Sequence, residues 1–162
     1  MKSWIPIAIQ WLDKSLGKVP SELNEIDWKE SLSPNNDKLC KHIAAFANLP
    51  GGGFLTFGID NKTGAVLGIT KPVADNIVER LSSLCRDGVD PLVSIDHSIE
   101  DFRGFSVLFV YIKESAIKPV HLKGQSIEET FIRSGGTTRK ASRQDVGALM
   151  LNSKSPTWEE LH

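Results

Sequence analysis

The sequence is poor in cysteine, since its two thiols, Cys40 and Cys85, belong to no CxxC pair. Isolated thiols are typical of a reduced intracellular protein and argue against a disulfide scaffold or a cysteine zinc site, so we expect both to be buried and inert. Long apolar runs are also missing. The most apolar N-terminal segment, residues 4–16, is interrupted well short of the roughly 18 apolar residues that span a bilayer, and it has no small-residue cleavage site. We therefore expect a cytoplasmic protein without a membrane segment.

The chain also lacks an excess of either charge. Its 19 basic and 20 acidic residues leave a net charge of -1, so an argument for nucleic acid depends on where the basic residues cluster. With 162 residues and 40% hydrophobic content, the chain falls in the range of one globular domain with a single core.

Familiar catalytic motifs are missing as well. There is no GxSxG, HExxH or His-Cys pairing, and His121, beside two lysines, is more simply a strand histidine than a catalytic base. The glycines of FANLPGGGFLTFGID, residues 46–60, suggest a phosphate cradle. However, they lack the Lys-Ser/Thr of a Walker loop, and they follow a helix and open a strand, the reverse of a dinucleotide-binding loop. We therefore predict a tight αβ turn and expect no nucleotide cofactor.

Hydrophobic periodicity predicts the element order α-β-α-β-β-α-β-β-β-β-α. Helices are predicted over residues 4–16, 33–48, 72–86 and 143–151, the last begun by the capping-box pattern of Ser142 to Asp145. In the third helix, the residues predicted to point inward are Val73, Ile77, Leu81, Leu84 and Cys85. Strands are predicted over residues 22–31, 54–60, 65–69, 92–99, 105–112, 118–123 and 130–133. Because hairpins dominate, we predict the α+β class, with a mixed, largely antiparallel sheet and helices packed on it. The expected divisions are an N-terminal amphipathic helix (1–19), the main domain (20–151) and a tail or linker (152–162).

Acidic side chains stand where neighbouring strands could bring them together. Asp27 lies on the polar face of its strand, Asp60 ends another strand, and Glu22 precedes the first. Magnesium or manganese binds two or three carboxylates on rigid elements and leaves positions for water and phosphate. The alternative, which spacing alone favours, is that Asp27 and Asp60 are solvated strand and turn residues.

Basic residues are concentrated in the last third of the chain, around the glycine- and hydroxyl-rich loop 134–138. Backbone amides, hydroxyls and guanidinium groups can donate together to one phosphate, although an ordinary solvated surface explains them equally well. No base-reading helix or paired aromatic platform is evident, so nucleic-acid contacts would be made to the backbone. The candidates are Lys29, Lys118, Lys123, Arg133, Arg139, Lys140 and Arg143.

Six ordered motifs between residues 20 and 150 share a family resemblance. They are Glu22 with Asp27-Trp28-Lys29; Ala45-Phe46-Ala47-Asn48 with Gly51 to Gly53; Phe57-Gly58-Ile59-Asp60; Gly68-Ile69; Lys118-Pro119-Val120; and residues 131–138 (FIRSGGTT) with Ala141-Ser142. Together they resemble the AlbA-type domain of the Schlafen family, described in bacterial regulators as a divergent DNA-binding domain. The ending, Ser155 to Glu160, resembles the link by which longer bacterial members continue.

The resemblance implies two different activities. Some members are treated as DNA-binding domains, whereas animal Schlafens resemble metal-dependent endoribonucleases that act on structured RNA such as tRNA through three carboxylates. The matching positions here are Glu22, Asp27 and Asp60, with aspartate at 27 where the family has glutamate. Animal members pair two such lobes, so a single lobe implies a homodimer with a shared basic groove.

Three functions therefore remain open. The leading hypothesis is a non-catalytic nucleic-acid-binding module whose seven candidate cations meet phosphates of DNA or RNA. The second is a magnesium- or manganese-dependent endoribonuclease in which Glu22, Asp27 and Asp60 are the metal ligands and catalytic residues, which requires their carboxylates to converge within about 5 Å. The third is a protein-interaction or dimerisation domain that uses the helix at residues 4–16.

Overall fold

The computed structural model describes residues 2–17 and 23–154. Its helices are α1 (Ile5–Ser15), α2 (Asn36–Asn48), α3 (Lys71–Asp87) and α4 (Arg143–Leu151). Its strands are β1 (Ile26–Lys29), β2 (Gly53–Phe57), β3 (Val89–Asp90), β4 (Ile95–Phe102), β5 (Phe105–Ile112), β6 (His121–Leu122), β7 (Phe131–Ser134) and β8 (Thr137–Lys140). None of these helices is long and apolar enough to cross a membrane. Glu22 and the segment from Ser155 to Glu160 lie outside the described residues.

A four-stranded mixed sheet, in the order β1-β2-β5-β4, forms the centre of the fold. β1 runs parallel to β2, with Asp27 opposite Leu55, whereas β5 pairs antiparallel with both β2 and β4. β3 and β6 form a small antiparallel ribbon, and β7 and β8 form another. The predicted α+β class with a mixed, largely antiparallel sheet is confirmed.

Helices cover both faces of the central sheet because successive strand residues point in opposite directions. Leu55 and Phe57 of β2 belong to the apolar cluster shared with α2 and α3. Phe54 of β2 belongs to the opposite cluster, where Trp4 and Leu12 of the α1 region are buried. The apolar stripe of α1 is therefore covered by the sheet of its own chain, and its buried side chains are not available as a contact surface for a partner.

The glycine cluster forms the tight connection from α2 to β2. Gly52 has a φ of 72°, and a Cβ at this position would lie 2.2 Å from the carbonyl oxygen of Ile112. A Cβ on Gly53 would lie 2.2 Å from Cδ1 of Phe46. Side chains would collide with the neighbouring strand and helix, so this turn requires glycine. The αβ-turn interpretation is confirmed.

Three details of the predicted elements are wrong. The predicted strand at 65–69 makes a single bridge, Val66 with Ile59, because the amides of residues 67 and 68 both donate to the carbonyl of Gly58 and end the ladder. Val73, predicted to point inward, is exposed, since Ala74 and Ile77 form the inward face of α3. Thr137 and Thr138 belong to the predicted loop at 134–138, but they lie in β8 and pair with β7.

The two thiols are buried in the cluster beneath α2 and α3, as predicted. Burial raises the pKa of Cys40, and the nearby Asp37 adds to the effect. Burial also raises the pKa of Cys85 to about 12. Because the thiolate is the reactive form, both cysteines are poor nucleophiles at neutral pH.

Candidate nucleic-acid interface

A cleft of about 320 Å³ lies between β1, α2 and the β7–β8 hairpin. Asp27 and Lys29 project into it from one face of β1, the strand at the edge of the sheet. His42 contributes from α2, and residues 136–138 contribute from the hairpin turn and β8. The cleft therefore joins three segments that are far apart in the sequence.

Arg133 holds the hairpin side of the cleft together. Its side chain is 6% exposed. Its guanidinium lies 4.6 Å from the centre of the Phe46 ring. It donates hydrogen bonds of 3.0–3.3 Å to the carbonyls of residues 23, 24, 26 and 136 and to the Thr138 hydroxyl. Arg133 thus brings a positive charge to the cleft, while most of its hydrogen-bonding capacity serves the protein itself.

His42 lies where α2 meets the hairpin at the edge of the cleft. Its Nδ1 lies 2.8 Å from the Thr138 hydroxyl, and its buried Nε2 has no hydrogen-bond partner among the described residues. Burial lowers the pKa of His42 to about 4, Asp27 opposes that shift, and the positive charges of Lys29, Arg133 and Lys38 add to it. The imidazole is therefore neutral at pH 7, and the cations that surround it supply the charge of the cleft.

Lys38 of α2 adds to this positive region, although it is not among the seven cations predicted from the sequence. Lys41 and His42 lie three and four residues after Lys38, so each of them neighbours Lys38 on the helix surface. Lys38 is close enough to lower the pKa of His42, and Nζ of Lys41 lies 5.1 Å from the centre of the Phe131 ring. The helical spacing of Lys38 and His42, next to the apolar stripe of α2, was the sequence pattern that could have identified Lys38.

Of the seven cations predicted to bind phosphate, the cleft is lined by Lys29 and Arg133. Nζ of Lys29 lies 3.6 Å from a carboxylate oxygen of Asp27, and both side chains remain partly exposed.

The other five predicted cations lie on other surfaces. Lys118 is 7% exposed, pairs with Glu114 and borders a different groove next to α4. Lys123 lines a pocket beside the start of α2. Arg139 lies 3.4 Å from Asp145, Lys140 lies 3.2 Å from Glu129, and Arg143 begins α4. The tertiary structure therefore distributes these charges over several surfaces.

Asp27 and Asp60, which were predicted to share a metal ion, lie in different surroundings. Asp27 lines the cleft. One carboxylate oxygen of Asp60 accepts the backbone amides of Thr63 (2.9 Å) and Lys62 (2.8 Å), which lowers the pKa of Asp60. Asn61, and not Asp60, lines the cleft at this turn.

A three-ligand metal centre is not formed within the described residues. Across residues 2–17 and 23–154, no three His, Cys, Asp or Glu side chains are placed to hold one metal ion. The donor groups described here do not fit magnesium or manganese, which require several carboxylate oxygens around one point. Because Glu22 lies outside the described residues, the convergence of all three carboxylates stays a prediction.

A second cavity adjoins the cleft along β1. This apolar pocket, of about 220 Å³, is bordered by residues 31–34, by α2 and by β2, and it shares Lys29, His42 and Asn61 with the cleft. Oδ1 of Asn61 accepts the backbone amide of Glu30 at 2.9 Å, which fixes this side chain between the two cavities. The edge of the sheet thus carries a polar, cationic cleft next to an apolar pocket.

Solved structures from two bacteria share this fold. The DIP2311 protein from Corynebacterium diphtheriae aligns with a TM-score of 0.58 and 22% identity over 91% of this chain and 29% of that protein. The N-terminal domain of a protein from Nitrosomonas europaea, described as related to the ATP-dependent DNA helicase RecG, aligns with a TM-score of 0.54 and 24% identity. That alignment covers 100% of this chain and 98% of the domain. The present chain therefore spans less than a third of DIP2311 but nearly all of the Nitrosomonas domain.

The likeness to these structures concerns the fold alone, and none of the curated proteins matches the chain. Family membership comes from the sequence model described as Schlafen, AlbA_2, which matches residues 22–142. That span contains β1, α2, the β7–β8 hairpin and both cavities at the sheet edge. The predicted resemblance is confirmed, and the chain belongs to the Schlafen AlbA_2 family.

Proposed function

We propose that this domain binds nucleic acid by holding the phosphate backbone in the cleft beside β1. The observation that carries the proposal is that Lys29 and Arg133 line the cleft beside His42, while Lys29 and Lys38 line the adjoining pocket with the same histidine. Asp27 is the one acidic side chain among the described residues that line the cleft, and it is already paired with Lys29. Positive charge thus exceeds negative charge around the cleft, which favours an anionic ligand.

The chemical groups around the cleft suit phosphate oxygens. The Lys29 ammonium group in the cleft and the Lys38 ammonium group in the adjoining pocket are point donors of hydrogen bonds. Arg133 contributes a fixed positive charge behind them. Contacts of this kind position a nucleic acid without reading its sequence. The name of the Nitrosomonas protein, which refers to a DNA helicase, agrees with this assignment.

Binding to labelled single-stranded RNA, tRNA and duplex DNA over a range of salt concentrations tests the proposal. We expect affinity to fall steeply with salt, because phosphate contacts release counterions. Lys29→Ala and Lys38→Ala should each weaken binding of every sequence and reduce the salt slope by about 1. Lys71→Ala is the matched control, since Lys71 is an exposed lysine that pairs with Asp75 on α3.

Two results would contradict this assignment. Absence of binding at low salt would remove the nucleic-acid function and favour a protein-interaction domain. An equal loss of affinity in Lys71→Ala would show that binding depends on general charge and not on the cleft.

The position of Asp27 within the cleft supports a second candidate, the divalent-metal-dependent endoribonuclease with Glu22, Asp27 and Asp60. Because the Asp60 carboxylate closes its own turn, we expect the protein to bind tRNA without cutting it. Cleavage that requires manganese, stops with a chelator and disappears in Asp60→Ala would replace the binding module with the enzyme.

A further inference from the structure

Phosphate binding alone does not explain the apolar side chains that line the pocket beside the cleft. Its inner surface is formed by Leu39, Leu55 and Phe57, which are almost fully buried, and Leu32 and Pro34 border it from the loop. None of the described residues that line this pocket is acidic. A cationic cleft is thus joined to a cavity whose inner surface is apolar.

Polar side chains also line the pocket, and one of them, His42, is shared with the cleft. Ser31 and Ser33 lie on the loop side of the pocket, and Asn61 lies on the side of the cleft. The Ser33 hydroxyl accepts the amide of Asn35 at 3.1 Å, and Oδ1 of Asn61 accepts the amide of Glu30 at 2.9 Å. The Nδ2 amino group of Asn61 is therefore a donor beside an apolar wall. Ligand sites commonly combine apolar walls with a few fixed polar groups in this way.

Two lysines stand at the boundary between the cavities. Lys29 lines both the cleft and the pocket, and Lys38 lines the pocket while remaining close to His42. A ligand that fills both cavities would therefore have an anionic part at the lysines and an apolar part against Leu39, Leu55 and Phe57. A nucleotide has this division between its phosphate and its base.

We propose that the apolar pocket receives one unpaired nucleobase while the phosphate of the same nucleotide lies in the cleft. This inference rests on the proposed function and narrows its ligand to single-stranded DNA or RNA, or to an unpaired segment of a folded RNA. A base within a duplex is stacked and paired, so it enters such a pocket after it has left the helix. A strand that is already single is bound without that cost.

Fluorescence anisotropy with three ligands of equal length tests the inference. The ligands are oligodeoxythymidine of roughly 20 nucleotides, longer than the usual site of a single-strand binding domain, the same strand paired with oligodeoxyadenosine, and a strand of abasic sites with the same phosphates. Oligouridine is a fourth arm that compares RNA with DNA. We expect the single strands to bind at least about fivefold more tightly than the abasic strand, which is the lower end of the effect of one stacked base. The duplex should bind less tightly than the single strand, because its paired bases do not enter the pocket.

The substitution Ser31→Leu tests the role of the pocket without changing the net charge of the protein. Ser31 is exposed on the rim of the pocket, so leucine is expected to narrow the pocket entrance without disturbing the core. Ser82→Leu, at an exposed position of α3, is the matched control. We expect Ser31→Leu to lower single-strand affinity to that of the abasic strand while the salt slope is unchanged, and Ser82→Leu to bind like the parent protein.

The outcomes separate the inference from the proposed function. If the parent protein binds no ligand at low salt, the proposed function fails. If all ligands bind equally well with a steep salt dependence, phosphate binding stands and the base pocket is refuted. The abasic comparison uses the parent protein, so it decides the question even if Ser31→Leu does not fold.

Discussion

For a single charged residue, burial decides whether its charge can meet a ligand. Arg133 and Lys29 are both cations that line the cleft, but Arg133 is 6% exposed and donates to five oxygen atoms of the protein. The Lys29 side chain is 33% exposed and has Asp27 as its ion-pair partner. We therefore expect the two substitutions to have different effects, on stability in one case and on ligand affinity in the other.

Arg133→Ala should lower the free energy of unfolding by about 3 kcal/mol or more, because buried acceptors lose a charged donor. Urea denaturation followed by circular dichroism measures the change. Arg139→Ala, at an exposed arginine, is the control and should change stability by less than about 0.5 kcal/mol. Normal stability together with weakened nucleic-acid binding would instead identify Arg133 as a direct phosphate ligand.

Asn48, the last residue of the AFAN motif, is a second residue on which the site depends. Its Nδ2 donates to the carbonyls of Val120 and Phe131 at 3.0 Å, and its Oδ1 accepts the amide of Val120 at 2.7 Å. Asn48→Ala should cost about 3 kcal/mol of unfolding free energy, because three backbone groups at a buried position lose their partner. Asn76→Ala, at an exposed position of α3, is the control for the same measurement. A loss as small as that of the control would show that water replaces these bonds.

At the scale of elements, α1 is held on the sheet by its apolar stripe, by the ion pair of Asp13 with Arg103 and by a group of polar contacts just before the helix. Asp96 of β4 accepts a hydrogen bond from Lys2 at 2.6 Å and another from the Trp4 indole at 2.9 Å. The hydrogen bonds from Lys2 and then Trp4 lower the pKa of Asp96 to about 2. The contacts of Asp96 link the residues before α1 to the edge strand opposite β1.

Asp96→Asn should destabilise the protein near neutral pH by at most about 1 kcal/mol, because the pair lies at the surface. Since the folded pKa of Asp96 lies below the ordinary value of 3.8, its ionised form stabilises the fold above that pH. This contribution should disappear as the pH falls from about 4 to about 2, so the two proteins should become equally stable there. Thermal unfolding at several pH values measures the difference, with Asp75→Asn as an exposed control. A difference independent of pH would contradict the assignment.

At the scale of the whole molecule, the cleft and the apolar pocket together are small compared with a structured RNA. Their volumes, about 320 and 220 Å³, suit a short piece of one strand. Both lie along β1, at one edge of the sheet. A larger nucleic acid would therefore need contacts outside these two cavities, either elsewhere on this chain or on a second copy.

The homodimer that the family resemblance implies stays a prediction. Sedimentation velocity over a range of protein concentrations, with and without oligonucleotide, measures the assembly. We expect a dimer whose two clefts form one basic groove. A monomer under both conditions would contradict it and would make each cleft an independent site.

Much of the fold could be predicted from local sequence patterns, because the period of apolar residues and the turn signals act over a few residues. Periodicity identified α1, α2 and α3, the capping box identified α4, and the glycines at 51–53 identified the turn into β2. The role of Asp60 could also be predicted from the local sequence. Its contacts with the amides two and three residues later form an Asx turn, which Asp-Asn-Lys-Thr-Gly favours.

The sequence by itself therefore determined the family, the α+β class and the main helices and strands, since these follow from short-range patterns and motif order. Only the tertiary structure decided which cations share a surface. His42 and Thr138 are 96 positions apart, and Arg133 reaches the carbonyl of Asn24 across 109 positions. Burial of α2 between the sheet and the hairpin creates these contacts, and no local period encodes them. Packing thus placed Lys38 beside the cleft, directed Lys118 elsewhere and opened an apolar pocket next to the cationic site.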